Sequence, residues 1–340
     1  MGGTGRSVET TSGLRIVELA PRLFAVIGAG GDSNSGFVGG ARGAVVSDAQ
    51  QNEALARELL GGVEKAGGGP VRLLVNTHYH ADQVFGNAAF APHIDILAHA
   101  RCRAALTGAL GAAGVAPGAL LPERLAMRLG FGATLYDLVP EGDPTLESFR
   151  RLYEASGYAR ARVRLPTVTI DTECTFHLAE RRIVLRYLGP GHTDGDLVVW
   201  LPDDGVMFAA DLVFCGRFPW LGDSDVAGWI ARLDEIIALH PRVVVPGHGA
   251  PVTCSDVVGF RDLLCAAQRS VLEAIRAGLD EPTAVREVRV PAYEHLPRYA
   301  EWFPGSIRKL YRDFTSPMGV VRGKGSGAVP GPNEFSPQEP

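Results

Sequence analysis

Several features that mark specialised protein classes are missing from this 340-residue chain. Cysteine is scarce: Cys102, Cys174, Cys215, Cys254 and Cys265 form an odd, scattered set with no CxxC pair. That argues against a disulfide framework and for reduced thiols. No uninterrupted apolar run approaches the roughly 18 residues of a membrane span. There is no excess of basic charge, since 33 Lys+Arg stand against 38 Asp+Glu for a net charge of -5. General attraction to nucleic acid or to anionic lipid is therefore excluded as the main activity. The opening stretch MGGTGRSVETTSG lacks the apolar core of a secretory signal, so a cytoplasmic chain is expected. No internal repeat is visible, and the Gly-rich GAGGDSNSG at 28–36 is not a phosphate loop, because no Gly-Lys-Ser/Thr follows it.

What is present reads as an α/β protein. Hydrophobic residues make up 46% and charged residues 21%, an ordinary globular balance. Residues 1–13 are polar and are expected to form a flexible tail, and 316–340, rich in Gly, Pro and Ser, a disordered one. Between them, 14–315 is expected to be one domain. GAVVSD at 43–48 reads as a strand followed by a polar helix, and VRLLVNT at 71–77 as a strand buried on both faces. Residues 113–165 differ in character. Gly and Pro punctuate two helical stretches there, one around 122–129 and one opened by Asp143-Pro144 with Leu146, Phe149, Leu152 and Tyr153 on a single stripe. This segment is expected to be an inserted helical cap. From 167 to 210 five short strands are expected (TVTID, TFHL, RIVLRYLG, DLVVWLP, VMFAAD), then a helix, the strand VVVPG and C-terminal helices over 256–315. Two series of strands, each finished by helices, suggest two sheets packed face to face with helices outside.

Histidines gather at the ends of these strands, beside carboxylates. His78-Tyr79-His80-Ala81-Asp82-Gln83 follows VRLLVNT, and His192 sits in Gly-His-Thr-Asp-Gly-Asp after RIVLRYLGP. Asp211 ends VMFAAD, and His248 lies in Pro-Gly-His-Gly after RVVV. Imidazole nitrogens and carboxylate oxygens are the ligands a zinc-like cation takes, strand ends hold them rigidly, and flanking glycines let the backbone turn around the ion. A single HxHxD string is a modest signal, but four such elements in one chain are a strong one. Asp194 and Asp196 are expected to shape the His192 loop. His93, His99, His177, His240 and His295 carry no such context and read as ordinary surface or core histidines.

At these residues the chain resembles the metallo-β-lactamase superfamily, from about Leu14 to about Ser255. The resemblance implies a four-layer αβ/βα sandwich with metal at one edge. It implies His78, His80 and His192 for one ion, Asp82 and His248 for a second, and Asp211 bridging both, with Asp48 supporting the metal loop without touching an ion. Many members with two ions carry HxHxDH, whereas this chain has Gln83 at the last position, either as a weaker ligand or as a hydrogen-bonding support. Zinc is the cofactor implied, as one or two ions, with iron or manganese as alternatives. The catalytic residues implied are Asp82 and Asp211, orienting a hydroxide that attacks an acyl carbonyl and accepting its proton. Where Asp211 stands, the best-known β-lactamases have Cys, so a β-lactamase-like amidase is disfavoured. The segments HYHADQVFGNAAFAP and HTDGDLVVWLPDDGVMFAADLVFCG resemble the thioesterase/cyclases of aromatic polyketide pathways. A thioester on coenzyme A or an acyl carrier protein is therefore the preferred substrate. A lactonase, an iron enzyme like the persulfide dioxygenases and a non-catalytic metal-binding protein are the alternatives.

Arg160, Arg162 and Arg164 alternate in YARARVRLP. A solvated face is the stronger reading, and a strip docking an acidic carrier protein the sharper one. Phe218 to Leu221 are expected either to wall the substrate pocket or to pack the core.

Overall fold

The central strands are buried on both faces, and their alternate side chains enter different layers. The structure, a computed structural model, describes residues 7–28, 32–40, 42–178 and 181–316. The first half contains β1 (Ser7–Glu9), β2 (Arg15–Ala20), β3 (Leu23–Ile27), β4 (Ser35–Gly40), β5 (Gly43–Ser47), α1 (Glu53–Lys65), β6 (Val71–Val75), α2 (Ala81–Val84), β7 (Asp95–His99) and α3 (Ala100–Ala112). Next come α4 (Glu123–Phe131), α5 (Leu135–Leu138), α6 (Pro144–Ala155) and β8 (Val168–Ile170). The second half contains β9 (Glu173–Leu178), β10 (Arg181–Tyr187), β11 (Leu197–Leu201), β12 (Val206–Phe214), α7 (Val226–Ala238), β13 (Val243–His248), α8 (Cys254–Arg276), α9 (Glu281–Glu287) and α10 (Tyr299–Thr315).

Strands β1 to β8 form one sheet in sequence order, and β13-β12-β11-β10-β9 form the other. Successive residues of each strand face different layers, as a period of two requires. Phe24 and Val26 join Leu55, Leu59 and Val63 of α1 in an outer cluster, while Leu23, Ala25 and Ile27 meet Ile183, Leu185 and Val199 between the sheets. Val198, Met207 and Ala209 point the other way and pack with Trp229, Leu233, Val257 and Leu264 of α7 and α8. Two sheets with helices on both outer faces are the expected sandwich.

Three expectations need correction. Residues 1–13 are not all a free tail, because Ser7–Glu9 pairs antiparallel with Arg15–Val17 and Ser12 is hydrogen-bonded to Glu58. Main-chain hydrogen bonds alone make this polar edge strand, so no apolar pattern announced it. Residues 1–6 lie outside the described residues, as does the expected tail beyond Ser316. The strand in TVTID belongs to the first sheet, paired parallel with β7 across the insertion, and not to the second series. Strand β6 is buried only from Leu74 onward, and Arg72 is exposed.

The insertion folds as helices α4 to α6. Asp143 caps α6 by accepting from the Thr145 N–H, and Leu146, Phe149 and Tyr153 are buried. Phe149 stacks on Trp302 of α10 (5.8 Å, 13°) and meets Trp220 edge-on (5.1 Å). The C-terminal helix therefore braces the cap, with Tyr299, Trp302 and Phe303 buried along one face.

Candidate metal centre

The histidines sit at or beyond strand ends, Asp82 lies in a short helix, and Asp211, expected to end its strand, lies inside one that runs on to Phe214. β6 leads into Asn76–His80, and α2 begins directly after His80 with Asp82 in its first turn. The loop after β10 carries His192, β12 contains Asp211, and β13 ends on His248. The backbone just before Asp211 is unusual: Ala210 has a φ of 45°, and the pairing of β12 with β13 slips on both sides of it. Such an irregularity re-aims the next side chain. On the facing strand a Cβ on Gly247 would lie 1.8 Å from Asp211 Oδ1, so only glycine leaves room for that carboxylate.

The ligand atoms of His78, His80, His192 and Asp211 lie within 4.8 Å of one another, as do those of Asp82, Asp211 and His248. Asp211 belongs to both sets: its Oδ2 is 3.4 Å from Nε2 of His192, 3.4 Å from Nε2 of His248 and 3.9 Å from Nε2 of His78. Asp82 Oδ2 is 3.2 Å from His248 Nε2, and His80 Nδ1 is 2.9 Å from His192 Nε2. Zinc–nitrogen bonds of about 2.0–2.1 Å place tetrahedral ligands about 3.3 Å apart, close to these spacings. His78 Nε2 is buried without a hydrogen-bond partner, an acceptor lone pair aimed into the cluster. The residues fit a divalent cation, and the six residues expected as ligands are brought together.

Residues 28–248 match the family described as the metallo-beta-lactamase superfamily. This chain belongs to that superfamily. Superfamily members are metal-dependent hydrolases, and the His/Asp cluster is compatible with a divalent ion. A linear primary-alkylsulfatase of Pseudomonas sp. (strain ATCC 19151) is 23% identical over 290 residues, 80% of this chain and 54% of that protein. An acyl-coenzyme A thioesterase of Bos taurus is 26% identical over 94 residues, 26% of this chain and 33% of that protein. Among solved structures, the stereoselective inverting sec-alkylsulfatase Pisa1 of Pseudomonas sp. superposes with a TM-score of 0.62 at 17% identity, covering 93% of this chain and 52% of that one. The chain thus spans about half the length of both alkylsulfatases.

In this superfamily member the imidazoles are aimed by groups behind them. Asp48, buried and with a φ of 61°, accepts from the Thr77 N–H (2.8 Å) and Oγ1 (2.9 Å), and Thr77 Oγ1 is 3.2 Å from His78 Nδ1. Gln83 donates from Nε2 to Asp211 Oδ1 (3.2 Å), so of its two expected roles the structure shows the hydrogen-bonding one. Asp196 accepts from the Thr193 N–H and hydroxyl and shapes the His192 loop, while Asp194 is exposed. His192 lies edge-on to Trp229 and Phe214, and His248 stacks on Phe214 (5.1 Å, 26°).

Sequence reasoning missed Asp223. Its Oδ2 is 3.1 Å from His80 Nε2, and it also accepts from the Tyr79 hydroxyl and the Ala133 N–H. This carboxylate fixes the His80 ring so that Nδ1 faces the cluster, and it ties the metal loop to the insertion. Carboxylates behind ligand imidazoles raise their basicity, and losing one commonly costs about 10–100-fold in ion affinity or activity. Asp223→Asn should weaken ion retention on that scale while leaving the far-ultraviolet circular dichroism unchanged, as measured by competition with a chelating dye. Unaltered retention would remove Asp223 from the centre.

Ser33 and Asn34 were missed as well. Ser33 Oγ donates to the Asp82 carbonyl, and Asn34 Nδ2 donates to the Pro246 and Gly249 carbonyls on either side of His248. One loop of the first sheet therefore clamps both segments of the second ligand set.

Burial and the facing carboxylates divide the four imidazoles into two kinds. Burial pushes His78 down to about 4 and His192 well below its ordinary range. Burial acts the same way on His80 and His248, but Asp223 outweighs it at His80, and Asp211 with Asp82 at His248, so both are raised. On acidification His80 and His248 take protons first. His248 is the only nitrogen in the set with Asp82, and a proton competes with the ion for it. As pH falls from 8 to 5.5, an ion at Asp82/Asp211/His248 should leave before one at His78/His80/His192. Ion content per chain after equilibration at each pH checks this; simultaneous loss would contradict it.

The cluster opens into a cavity of about 60 Å³ walled by Phe131, Leu152 and Tyr158 of the insertion, Trp220, and Trp302 of α10. Of the stretch expected to wall the pocket or pack the core, Trp220 does the first, whereas Phe218 packs against Tyr299 and Phe303. Arg164 is not part of a free basic strip. Its guanidinium donates to the carbonyls of Phe90, Ala91, Pro92 and Ile94, and Arg162 donates to the Gly118 carbonyl.

Proposed function

We propose that this chain is a zinc-dependent hydrolase that cleaves an acyl bond, with a thioester preferred. The observation that carries the reading is the sharing of Asp211 between two ligand sets at the floor of an aromatic-walled cavity. A cation bound there would supply Lewis acidity, making water a better nucleophile and the substrate a better electrophile. The chain's own residues do the rest. Asp211, held ionised by the surrounding imidazoles and oriented by Gln83, keeps the ligand sets in register. Asp82, at the cavity edge, is placed to orient the attacking water and take its proton at Oδ2. Phe131, Trp220 and Trp302 exclude bulk water and hold an apolar acyl body. Apart from the carboxylates and the imidazoles of the ligand sets, the cavity's acid is the phenol of Tyr158, which burial pushes well above its usual range. A weak acid suits a leaving group that departs without a proton, as a thiolate does.

Delivery by an acyl carrier protein and a cytoplasmic setting belong to the same proposal. Among the described residues, no helix is long and apolar enough to cross a membrane. A second reading, cleavage of a sulfate ester, is favoured by the span of the likeness: Pisa1 covers 93% of this chain, well beyond the matched family region. Sulfate also leaves without a proton.

The test is elemental analysis of the purified chain together with a panel of an acyl thioester, a lactone, a β-lactam and an alkyl sulfate, with and without chelator. Chelator-sensitive thioester turnover is expected. A zinc-loaded chain that cleaves the sulfate and not the thioester would replace the first reading by the second. Oxygen uptake by an iron-loaded chain would overturn both.

A further inference from the structure

We propose that the cleft between α3 and α4 docks an acidic amphipathic helix of a partner protein, the acyl carrier that brings the substrate. The identity of the partner rests on the thioester reading; the docking surface is tested without it. α3 places Ala105, Gly108, Ala109 and Ala112 on one stripe, the i, i+3, i+4 and i+7 positions of a single helix face. Opposite them α4 sets Arg124 and Arg128, and Tyr79 also lines the space, a cleft of about 590 Å³. No side chain of the stripe is longer than a methyl group, so α3 does not fill the space beside α4 and a third backbone can approach closely.

Charge decides what fills it. Residues 100–131 hold Arg101, Arg103, Arg124 and Arg128 against Glu123 alone, in a chain with a net charge of -5. Arg124 and Arg128 are both exposed and stand at i, i+4, a spacing at which like charges repel. Both guanidinium groups lie over the Tyr136 ring, at 3.9 and 5.8 Å. Arg124 reaches Glu141 only at 3.9 Å, and Arg128 has no ion pair among the described residues. An apolar trough rimmed by such arginines is the complement of a helix that carries carboxylates beside an apolar stripe. A second copy of the chain fits worse, because a two-fold contact through this face sets arginine against arginine. A flat anionic membrane does not fill a concavity, and the net charge of the chain opposes it. α4 also joins the cleft to the metal cavity: Arg128 lines the first, and Gly130 and Phe131, within one turn, line the second. A carrier seated in the cleft therefore stands beside the cavity it supplies.

The test uses the full, ion-loaded chain, with a bacterial acyl carrier protein as the probe. Anisotropy of the labelled carrier, first without its phosphopantetheine arm and then carrying a butyryl thioester, reads docking apart from engagement of the metal centre. Wild type is expected to bind both forms, more weakly as salt rises. The double variant Arg124→Glu, Arg128→Glu should raise Kd for both by on the order of 100-fold, since like charges then meet across the rim. Gly108→Leu leaves the charge alone and fills the trough. An added Cβ there meets nothing within 4 Å, so the fold accommodates it, and Kd should rise by about tenfold. Gly259→Leu on α8, equally open, is the control and should bind as wild type. In turnover, the ratio of kcat/KM for the butyryl carrier over butyryl N-acetylcysteamine should fall in the two cleft variants through KM. Wild-type affinity in both cleft variants, or no binding of the armless carrier to wild type, overturns the surface while the hydrolase reading stands. Docking that these variants weaken, without cleavage of either thioester, keeps the surface and removes the thioester. A dimer in sedimentation that Gly108→Leu disperses, or binding to anionic vesicles in place of the carrier, would give the cleft another occupant and overturn the proposal.

Discussion

Asp211→Asn is expected to abolish ion retention at both ligand sets and to lower turnover by on the order of 10³-fold or more. The amide preserves the shape of the side chain and removes its charge, so the loss tests coordination and not packing. Asp211 is the one residue common to both sets. Its ion-affinity loss should exceed the roughly 10–100-fold expected when a group behind a ligand is removed. The variant should also change stability without any ion. Burial alone would raise this carboxyl, but His248, His78 and His192 outweigh it and hold it well below its ordinary value of 3.8. A depressed acid stabilises the fold above the unfolded-state value, and that contribution is lost as pH falls through the native one. At neutral pH the apo variant should therefore melt lower than the apo wild type, with the gap closing in strong acid. Full ion content in the variant would show that the cluster is not a metal centre organised around this residue.

Gly247→Ala should produce nearly as large a loss of activity by a different route. The added Cβ would fall 1.8 Å from Asp211 Oδ1 and 2.8 Å from the backbone carbonyl carbon of Ala210, distances that force the carboxylate or the strand to move. Overpacking of this kind costs about 1–3 kcal/mol. The displaced carboxylate should cost at least about 10²-fold in turnover, because misplacement by an ångström is enough for that. Gly259→Ala is the matched control. It sits exposed on α8 with nothing within 4 Å of the new methyl, and a helical Gly→Ala change stabilises by about 1 kcal/mol. Thermal melting and turnover of the pair separate a steric effect on the centre from a general one. Equal activity in both variants would mean that Asp211 relaxes freely, against the geometry described.

The parts of the molecule legible in the sequence were those in which one residue type carries one constraint. His78, His80, Asp82, His192, Asp211 and His248 stand beside apolar strands because a cation needs such side chains on rigid backbone, and that juxtaposition is visible in one dimension. The stripe of Leu146, Phe149 and Tyr153 was visible for the same reason. Asp223, Ser33 and Asn34 were not. Their partners lie 143, 49 and 212 positions away, and each sits in a turn-rich segment where a polar residue looks like any solvated one. The alternating arginines show the opposite error: a regular pattern suggested a face, yet Arg164 is spent on four carbonyls of one loop. Strand β8 was assigned to the wrong sheet because the inserted segment that separates it from β7 in the chain hides a parallel neighbour.

Apart from Trp220, which follows β12, the aromatic walls of the cavity come from an inserted segment and a C-terminal helix, whereas the cluster at its floor comes from the strands of the two sheets and the turns after them. Choice of partner molecule and bond-breaking power are thus written in separate stretches of this chain. Exchanging the former among relatives could redirect the protein to new compounds while its reactive floor stayed as it is.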